Sequence, residues 1–419
     1  MKKLLVLSLV LLVSFSLFAQ VVITVAGGAV GQELELTKKA AQMYMTINPN
    51  VRVEVLDTPD MADDRLGLYL QFFEAKSSRV DVYQIDVIWP GDLAEHLVDF
   101  YDYKADMVTS MYFPSMIQNN TVDGKLVAIP WFTDAGLLYY RTDLLDKYNL
   151  SVPKTWDELE RYAKIIQDGE RSAGNRDFWG YVWQGNSYEG LTCDAIEWIS
   201  SNNGGTIISP DGVITIDNRN AAEIIQKAAS WVGSISPAGV IGMAEEESRA
   251  VWQAGNSAFM RNWPYAYSLG NSDGSAVKGK FDVAPLPAGR GNPGAALGGW
   301  QLAVSKYSNN IPEAVEVALF LAGYEVQKMR AIEGSFNPTI QALYRDPEVI
   351  NAVPFFGSLY DVFINATPRP STISAPRYAE VSRLFYQAVH SVLTGRRRAP
   401  DALGELALDI ADLTGYPVR

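Results

Sequence analysis

Val21-Val22-Ile23-Thr24-Val25-Ala26 opens the stretch whose pattern decides the fold. An apolar run of this length suits a strand. Leu36, Ala40, Met43, Tyr44 and Ile47 then recur at helical spacing until Asn48-Pro49 breaks the period. Val51, Val53 and Val55 alternate with polar residues, as in a strand, and Leu66, Leu70 and Phe73 return to the helical period. Residues 80–88 are again strand-like and stop at Trp89-Pro90. Strand, helix, strand, helix, strand predicts a parallel sheet with helices on its faces.

Working outward, a second unit begins after Ile129-Pro130. Residues 137–140 predict a strand. Thr155-Trp156-Asp157-Glu158 has the form of a capping box, with Thr155 as N-cap and Glu158 reaching back. Residues 206–216 predict a hairpin turning at Pro210-Asp211-Gly212. Strand-like Val304 precedes a mostly helical remainder from about Ile311. At 419 residues the chain exceeds what one core usually supports, so two domains are expected. No Gly/Ser linker joins them. Short ordered crossings are expected instead at residues 129–134, 283–287 and 333–338, each mixing apolar residues with Pro or Gly. The division expected is residues 20–130 with 286–333 as one lobe and 131–285 with 334–419 as the other. Three crossings restrict motion to opening and closing of a cleft.

Upstream, Met1-Lys2-Lys3, an apolar run to Phe18 and then Ala19-Gln20 read as a secretory leader over residues 1–19. No other apolar run is long enough to span a bilayer. The mature chain is expected to be a soluble exported protein, periplasmic or extracellular. Its net charge of −13 becomes −15 when Lys2 and Lys3 leave with the leader. Such an acidic surface argues against nucleic acid and anionic lipid as partners. The single cysteine, Cys193, cannot form an internal disulfide and is expected as a buried, inert thiol.

Only two histidines occur, His96 and His390, and neither has metal-ligand spacing with another His or Cys. No Gly-x-Ser-x-Gly elbow is present. No metal, cofactor or catalytic residue is therefore expected. Gly27-Gly28-Ala29-Val30-Gly31 follows a strand and opens a helix, which predicts a tight turn at a cleft edge more than a phosphate cradle. Ligands of open parallel sheets sit at the carboxyl ends of the strands. That turn, the Thr58 region and Asp86 all fall there. Asp86 and Asp134 stand in apolar company and need partners. Arg369, between Pro368 and Pro370, has a backbone held by its neighbours and suits bidentate contacts. Arg396-Arg397-Arg398 near a helix end reads as a solvated, dipole-compensating run. Asn262-Trp263-Pro264-Tyr265 and Gly298-Gly299-Trp300 hold aromatic rings beside Pro and Gly. Flat rings of this kind suit the C–H faces of a sugar, although a single Trp is more often a core residue.

With Asp134-Ala135-Gly136-Leu137-Leu138-Tyr139-Tyr140-Arg141, Phe178-Trp179-Gly180-Tyr181-Val182-Trp183-Gln184-Gly185, Arg261-Asn262-Trp263-Pro264-Tyr265, Val283-Ala284-Pro285-Leu286-Pro287 and Leu297-Gly298-Gly299-Trp300 in view, the chain resembles the solute-binding proteins of ABC sugar importers. More narrowly, it is similar to the trehalose/maltose-binding proteins of thermophiles. The similarity runs from about Val22 to near residue 400. It implies an α/β, two-lobe periplasmic-binding-protein fold, each lobe a mostly parallel sheet flanked by helices, with three hinge crossings. It also implies a monomer that takes an α-linked glucose disaccharide, trehalose or maltose, and hands it to ABC permease subunits. By this resemblance Glu33 and Asp86 accept sugar hydroxyls with Thr58 and Arg65 nearby. Asp134 and Arg369 hold the other ring, Trp263, Tyr265 and Trp300 stack on or flank the rings, and the Gly299 backbone lies against the ligand. Phe132 stands where the family usually has Tyr, so one hydroxyl is lost. Charge-assisted bonds of roughly 1.5–3 kcal/mol each and ring burial of about 2 kcal/mol reach the micromolar range after ordering costs. Two alternatives remain: the same fold with another oligosaccharide, a monosaccharide or a polyol, and a secreted glycoside hydrolase using the same rings and carboxylates.

Overall fold

The computed structural model describes residues 20–419; the leader at 1–19 lies outside the described residues. The opening stretch folds as its pattern predicts, into strand Val21–Gly27, helix Glu33–Ile47, strand Val51–Asp57, helix Ala62–Glu74 and strand Val82–Asp86. The first helix carries Glu33 and Glu35 in its first turn, where they complement the helix dipole, and it buries Leu36, Ala40, Ala41 and Tyr44. The chain leaves it at Asn48, just before Pro49, as a residue preceding proline avoids the helical region.

Two lobes result, each with its own sheet. The larger sheet has six strands in the order Asn337–Pro338, Ile129–Ala135, Leu297–Val304, Val82–Asp86, Val21–Gly27, Val51–Asp57. The smaller has four, in the order Phe281–Pro285, Leu137–Arg141, Ser257–Asn262, Trp179–Val182. Helices Ile311–Leu321 and Tyr324–Gly334 pack on helix Glu33–Ile47 of the first lobe. Helices Tyr378–Leu393 and Ala399–Thr414 pack on Arg219–Trp231 of the second.

The expectation of mostly parallel sheets needs correction. Strand Val21–Gly27 pairs in parallel with both its neighbours, but the strands that join the lobes do not. The chain leaves the first lobe at its cleft end through Ala135 and returns at that same end through Leu297, so the returning strand runs down the sheet and pairs antiparallel on both sides. In the smaller sheet only Trp179–Val182 with Ser257–Asn262 is parallel.

Sheet membership also shifts the crossings later than the sequence suggests. Pro130 does not end the first lobe. It sits inside strand Ile129–Ala135 where the register with Leu297–Val304 slips, a bulge that removes the demand for its missing N–H. Pro338 is likewise tolerated, because Asn337–Pro338 is an edge strand of the first sheet. The chain passes between sheets at Gly136, then near Ala296 and Thr367, which bridge each other. Smaller expectations fare similarly. Thr155 does cap its helix, accepting the Glu158 N–H at 3.1 Å, but Glu158 reaches back to Lys154 N rather than to Thr155. The 206–216 hairpin reduces to a single bridge between Ile208 and Ile214.

Candidate binding cleft

On the first lobe, strand register sets the side chains at one level. Trp300 lies opposite Asp86 on one side and Phe132 on the other, and Gly298 lies opposite Asp134. Gly299 has φ of +123°, and a Cβ there would stand 2.5 Å from the Phe132 carbonyl oxygen, so no other residue fits. Glu33 opens its helix beside them. The Gly28 N–H donates to Gln84 Oε1 at 2.7 Å, and the Gln84 amide donates to Glu33 Oε2 at 3.1 Å. Burial pushes the Glu33 carboxyl up, against the pull of Arg65. Burial, reinforced by the negative charges of Glu33 and Asp86, holds Asp134 well above the usual carboxylate range. Arg65 stacks 4.2 Å from the Trp300 ring centre and donates Nε to the Pro59 carbonyl. Its two terminal nitrogens have no partner among the described residues.

The second lobe is built differently. Trp263 leaves the cleft end of strand Ser257–Asn262, and its ring rests 3.8 Å from the guanidinium of Arg261. Arg261 is wholly buried and held by Glu197 at 2.9 and 2.6 Å and by Asp194 at 3.0 Å. Glu197 Oε1 also accepts the Ala296 N–H at 3.0 Å, at the second crossing. A Cβ on Gly136, at the first crossing, would stand 1.9 Å from that same oxygen. Trp263 Nε1 donates to Glu245 at 3.2 Å, and the Tyr265 hydroxyl to Glu246 at 2.7 Å. These bonds hold both rings by their polar edges, and one face of Trp263 rests on the Arg261 guanidinium.

Arg369, just past the third crossing, ties the lobes together. It donates to Asp86 of the first lobe at 2.9 Å and to Glu189 of the second at 2.7 Å. Glu189 also accepts the hydroxyls of Tyr378 and Ser382. Burial lifts its carboxyl to about 7 despite Arg369.

Against this geometry stand the comparisons with known proteins. Residues 31–328 match the family described as bacterial extracellular solute-binding protein. The chain belongs to that family. This solute-binding protein is 51% identical over 397 residues to a probable ABC transporter-binding protein of Deinococcus radiodurans, covering 94% of each chain. Maltose-bound Thermotoga maritima MalE3 superimposes with a TM-score of 0.89 at 41% identity, covering 94% of this chain and all of that one. A galactooligosaccharide-binding protein of Bacillus subtilis is 26% identical and covers 76% of this chain and 74% of its own.

Nine of the sequence-derived residues of the solute-binding protein line one hollow between the lobes: Glu33, Asp86, Phe132, Asp134, Trp263, Tyr265, Gly299, Trp300 and Arg369. Thr58 and Arg65 do not. The Thr58 hydroxyl is spent on the Gly27 carbonyl at 2.8 Å, and Arg65 lies behind the Trp300 ring. The hollow also takes in Asp60, Tyr188, Glu189, Glu245 and Phe336, which sequence reasoning missed. Tyr188-Glu189 at the start of helix Glu189–Ser201 was the available signal; Phe336 offered none. Cys193 reaches the lining, with its thiol pushed well up by burial and so unreactive. A wider groove of about 740 Å³ lies between residues 87–127 and 371–376, but no aromatic ring lines it. Among the described residues no cluster of His, Cys, Asp and Glu is placed to hold a metal ion.

Proposed function

We propose that this protein captures an α-linked glucose disaccharide, maltose or trehalose, in the interlobe hollow and delivers it to an ABC permease. The observation that carries the reading is the meeting of Trp263, Tyr265 and Trp300 with the carboxylates of Glu33, Asp86 and Asp134 around one hollow. Rings take the C–H faces of the sugar, and carboxylates replace the water stripped from its hydroxyls. Arg369 braces Asp86 so that its free lone pairs face the ligand, and the Gly299 backbone allows close approach. Phe132 contributes an apolar wall in place of a hydroxyl. The likeness to maltose-bound MalE3 at 41% identity supports an α-glucoside.

The hollow is about 60 Å³, whereas ligands of this size occupy sites of about 300–1,000 Å³. Admission of a disaccharide therefore requires the lobes to part, and contact with both of them favours the closed form. The closed surface is what a permease reads. Export through the 1–19 leader and action as a monomer complete the proposal. Titration calorimetry of the mature protein with maltose, trehalose, sucrose, glucose, a galactooligosaccharide and a polyol tests it. Heat with maltose or trehalose alone is expected. Silence with both rejects the disaccharide, and a response only to another sugar or to the polyol reassigns the ligand. Sustained release of glucose from either disaccharide would instead mark a hydrolase.

A further inference from the structure

Two second-lobe helices begin at the lobe boundary without a side-chain cap of their own. Helix Glu189–Ser201 starts after Tyr188 and helix Tyr378–Leu393 after Arg377, and neither flanking side chain accepts a bond from the first turn. The first N–H groups of a helix have no partner within it and are ordinarily covered by a Ser, Thr, Asp or Asn just before it. Here the acceptors come from the other lobe. Asp63, in the first turn of helix Ala62–Glu74, takes the Glu189 N–H on Oδ2 at 2.8 Å. Its Oδ1 takes the Tyr386 hydroxyl at 3.4 Å, so both oxygens of one first-lobe carboxylate face second-lobe donors. Asp92, in the short helix Pro90–Leu93, takes the Ala379 N–H on Oδ2 at 3.4 Å. Beside it the lobes approach closely: a Cβ on Gly91 would stand 2.7 Å from the Ala375 Cβ.

The two capped ends form one unit. Glu189 accepts the Tyr378 hydroxyl at 2.6 Å and the Ser382 hydroxyl at 2.5 Å, which ties the start of one helix to the first turns of the other. Charge favours the arrangement as well. Asp63 stands at the positive ends of two helices, its own and Glu189–Ser201, and those ends would repel each other with no anion between them. Further along, helix Glu189–Ser201 is anchored at the second crossing, where Glu197 accepts the Ala296 N–H at 3.0 Å. From Glu189 to Glu197 the helix axis runs about 12 Å. A rotation of about 15° about that crossing therefore carries the helix start by about 3 Å, enough to part it from Asp63. Opening of the lobes uncovers both helix ends, and closing covers them again.

We propose that Asp63 and Asp92 form a latch: by capping two second-lobe helices from the first lobe, they stabilise the closed arrangement itself, so that the sugar-free protein keeps a closed population. Asp63 carries the larger share, with the shorter bond and two donors. Neither aspartate lines the hollow, so the latch acts on binding only through the fraction of molecules that are closed.

Pulsed electron resonance between spin labels at Lys38→Cys on the first lobe and Lys164→Cys on the second, both exposed positions, reads the closed and open populations of the full mature protein. Cys193 is buried and takes no label. Asp63→Ala should lower the closed-to-open ratio of the sugar-free protein about fivefold, the typical effect of one helix cap. Asp92→Ala should lower it by less. Asp64→Ala removes an exposed carboxylate that makes no bond across the lobes among the described residues, and should leave the ratio unchanged. Maltose affinity should fall with the closed fraction in each variant, while the distance in the sugar-saturated protein stays the same. A single open distance in sugar-free wild type, a ratio that Asp63→Ala leaves unmoved, or an equal fall in Asp64→Ala overturns the proposal. Should wild type bind no sugar, the function proposed above fails, while the sugar-free distances still decide the latch. Should Asp63→Ala not fold, Asp63→Asn, which keeps the shape and drops the charge, should shift the ratio the same way, and an unmoved ratio again overturns the proposal.

Discussion

The two walls of the cleft face one hollow but are finished differently. On the first lobe, polar groups behind the hollow are left with capacity to spare: both terminal nitrogens of Arg65, under the Trp300 ring, and both amide atoms of Asn337 lack partners among the described residues. On the second lobe the charges are closed off, with Arg261 locked to Glu197 and Asp194 and carrying Trp263 on its face. The first wall brings Glu33, Asp86 and Asp134 to the hollow beside Trp300; the second brings Trp263 and Tyr265, backed by its own ion network. Selectivity for hydroxyl positions should therefore reside on the first lobe, and bulk affinity for any hexose face on the second.

Substitutions can break that division. The largest effect is expected from Arg261→Ala, which strands Glu197 and Asp194 in the core; loss of one partner of a buried pair costs about 3–5 kcal/mol of stability. Urea unfolding would show it as a lower midpoint, and an unchanged midpoint would mean that the second wall does not depend on its ion network. Next, Trp263→Ala should weaken disaccharide binding by about 2–3 kcal/mol with the fold intact. By the comparison, glucose and disaccharide should lose affinity together. Asp134→Asn replaces a carboxyl oxygen of the first wall with an amide nitrogen and should cost about 0.5–1.5 kcal/mol. Its loss should differ between maltose and trehalose, whose hydroxyls are arranged differently. Equal losses for both sugars would undo the assignment of selectivity to the first lobe.

The smallest expected effect concerns where the lobes touch outside the site. Asp92 of the first lobe accepts the Ala379 N–H at the start of a second-lobe helix, at 3.4 Å. Burial raises its carboxyl to about 6, and its Oδ1 has no partner among the described residues. A raised carboxyl stabilises the fold in its protonated form, so this contribution is present below pH 4 and lost as pH rises through 6. Asp92→Asn should flatten that slope, which is at most about 1.4 kcal/mol per pH unit for one proton. Thermal unfolding at several pH values checks it, and identical slopes in both proteins would remove Asp92 from the account.

Much of this was legible in the chain because it is local. Periodicity alone drew the five elements from Val21 to Asp86, and short aromatic motifs picked out Trp263, Tyr265 and Trp300 before their meeting in one hollow was visible. What escaped was non-local. Pro130 and Pro338 look like breaks until the bulge and the sheet edge that accommodate them are known. Strand direction depends on which end of a sheet the chain re-enters, which no residue pattern encodes. Glu189 and Phe336 reach the hollow only because segments far apart in sequence converge there. Thr58 misled for the opposite reason: a polar residue at a strand end was satisfied by its own neighbour.

The pairing of the last two crossings has a mechanical corollary. Leu297 N–H bonds the Thr367 carbonyl at 2.8 Å and Thr367 N–H bonds the Ala295 carbonyl at 2.7 Å, so the two passages form a short ribbon. A ribbon bends across its flat face easily but resists shear and twist, which would break both bonds. The molecule is thus left with essentially one soft coordinate, and a distance measured between any two labels on opposite lobes should track every other such distance.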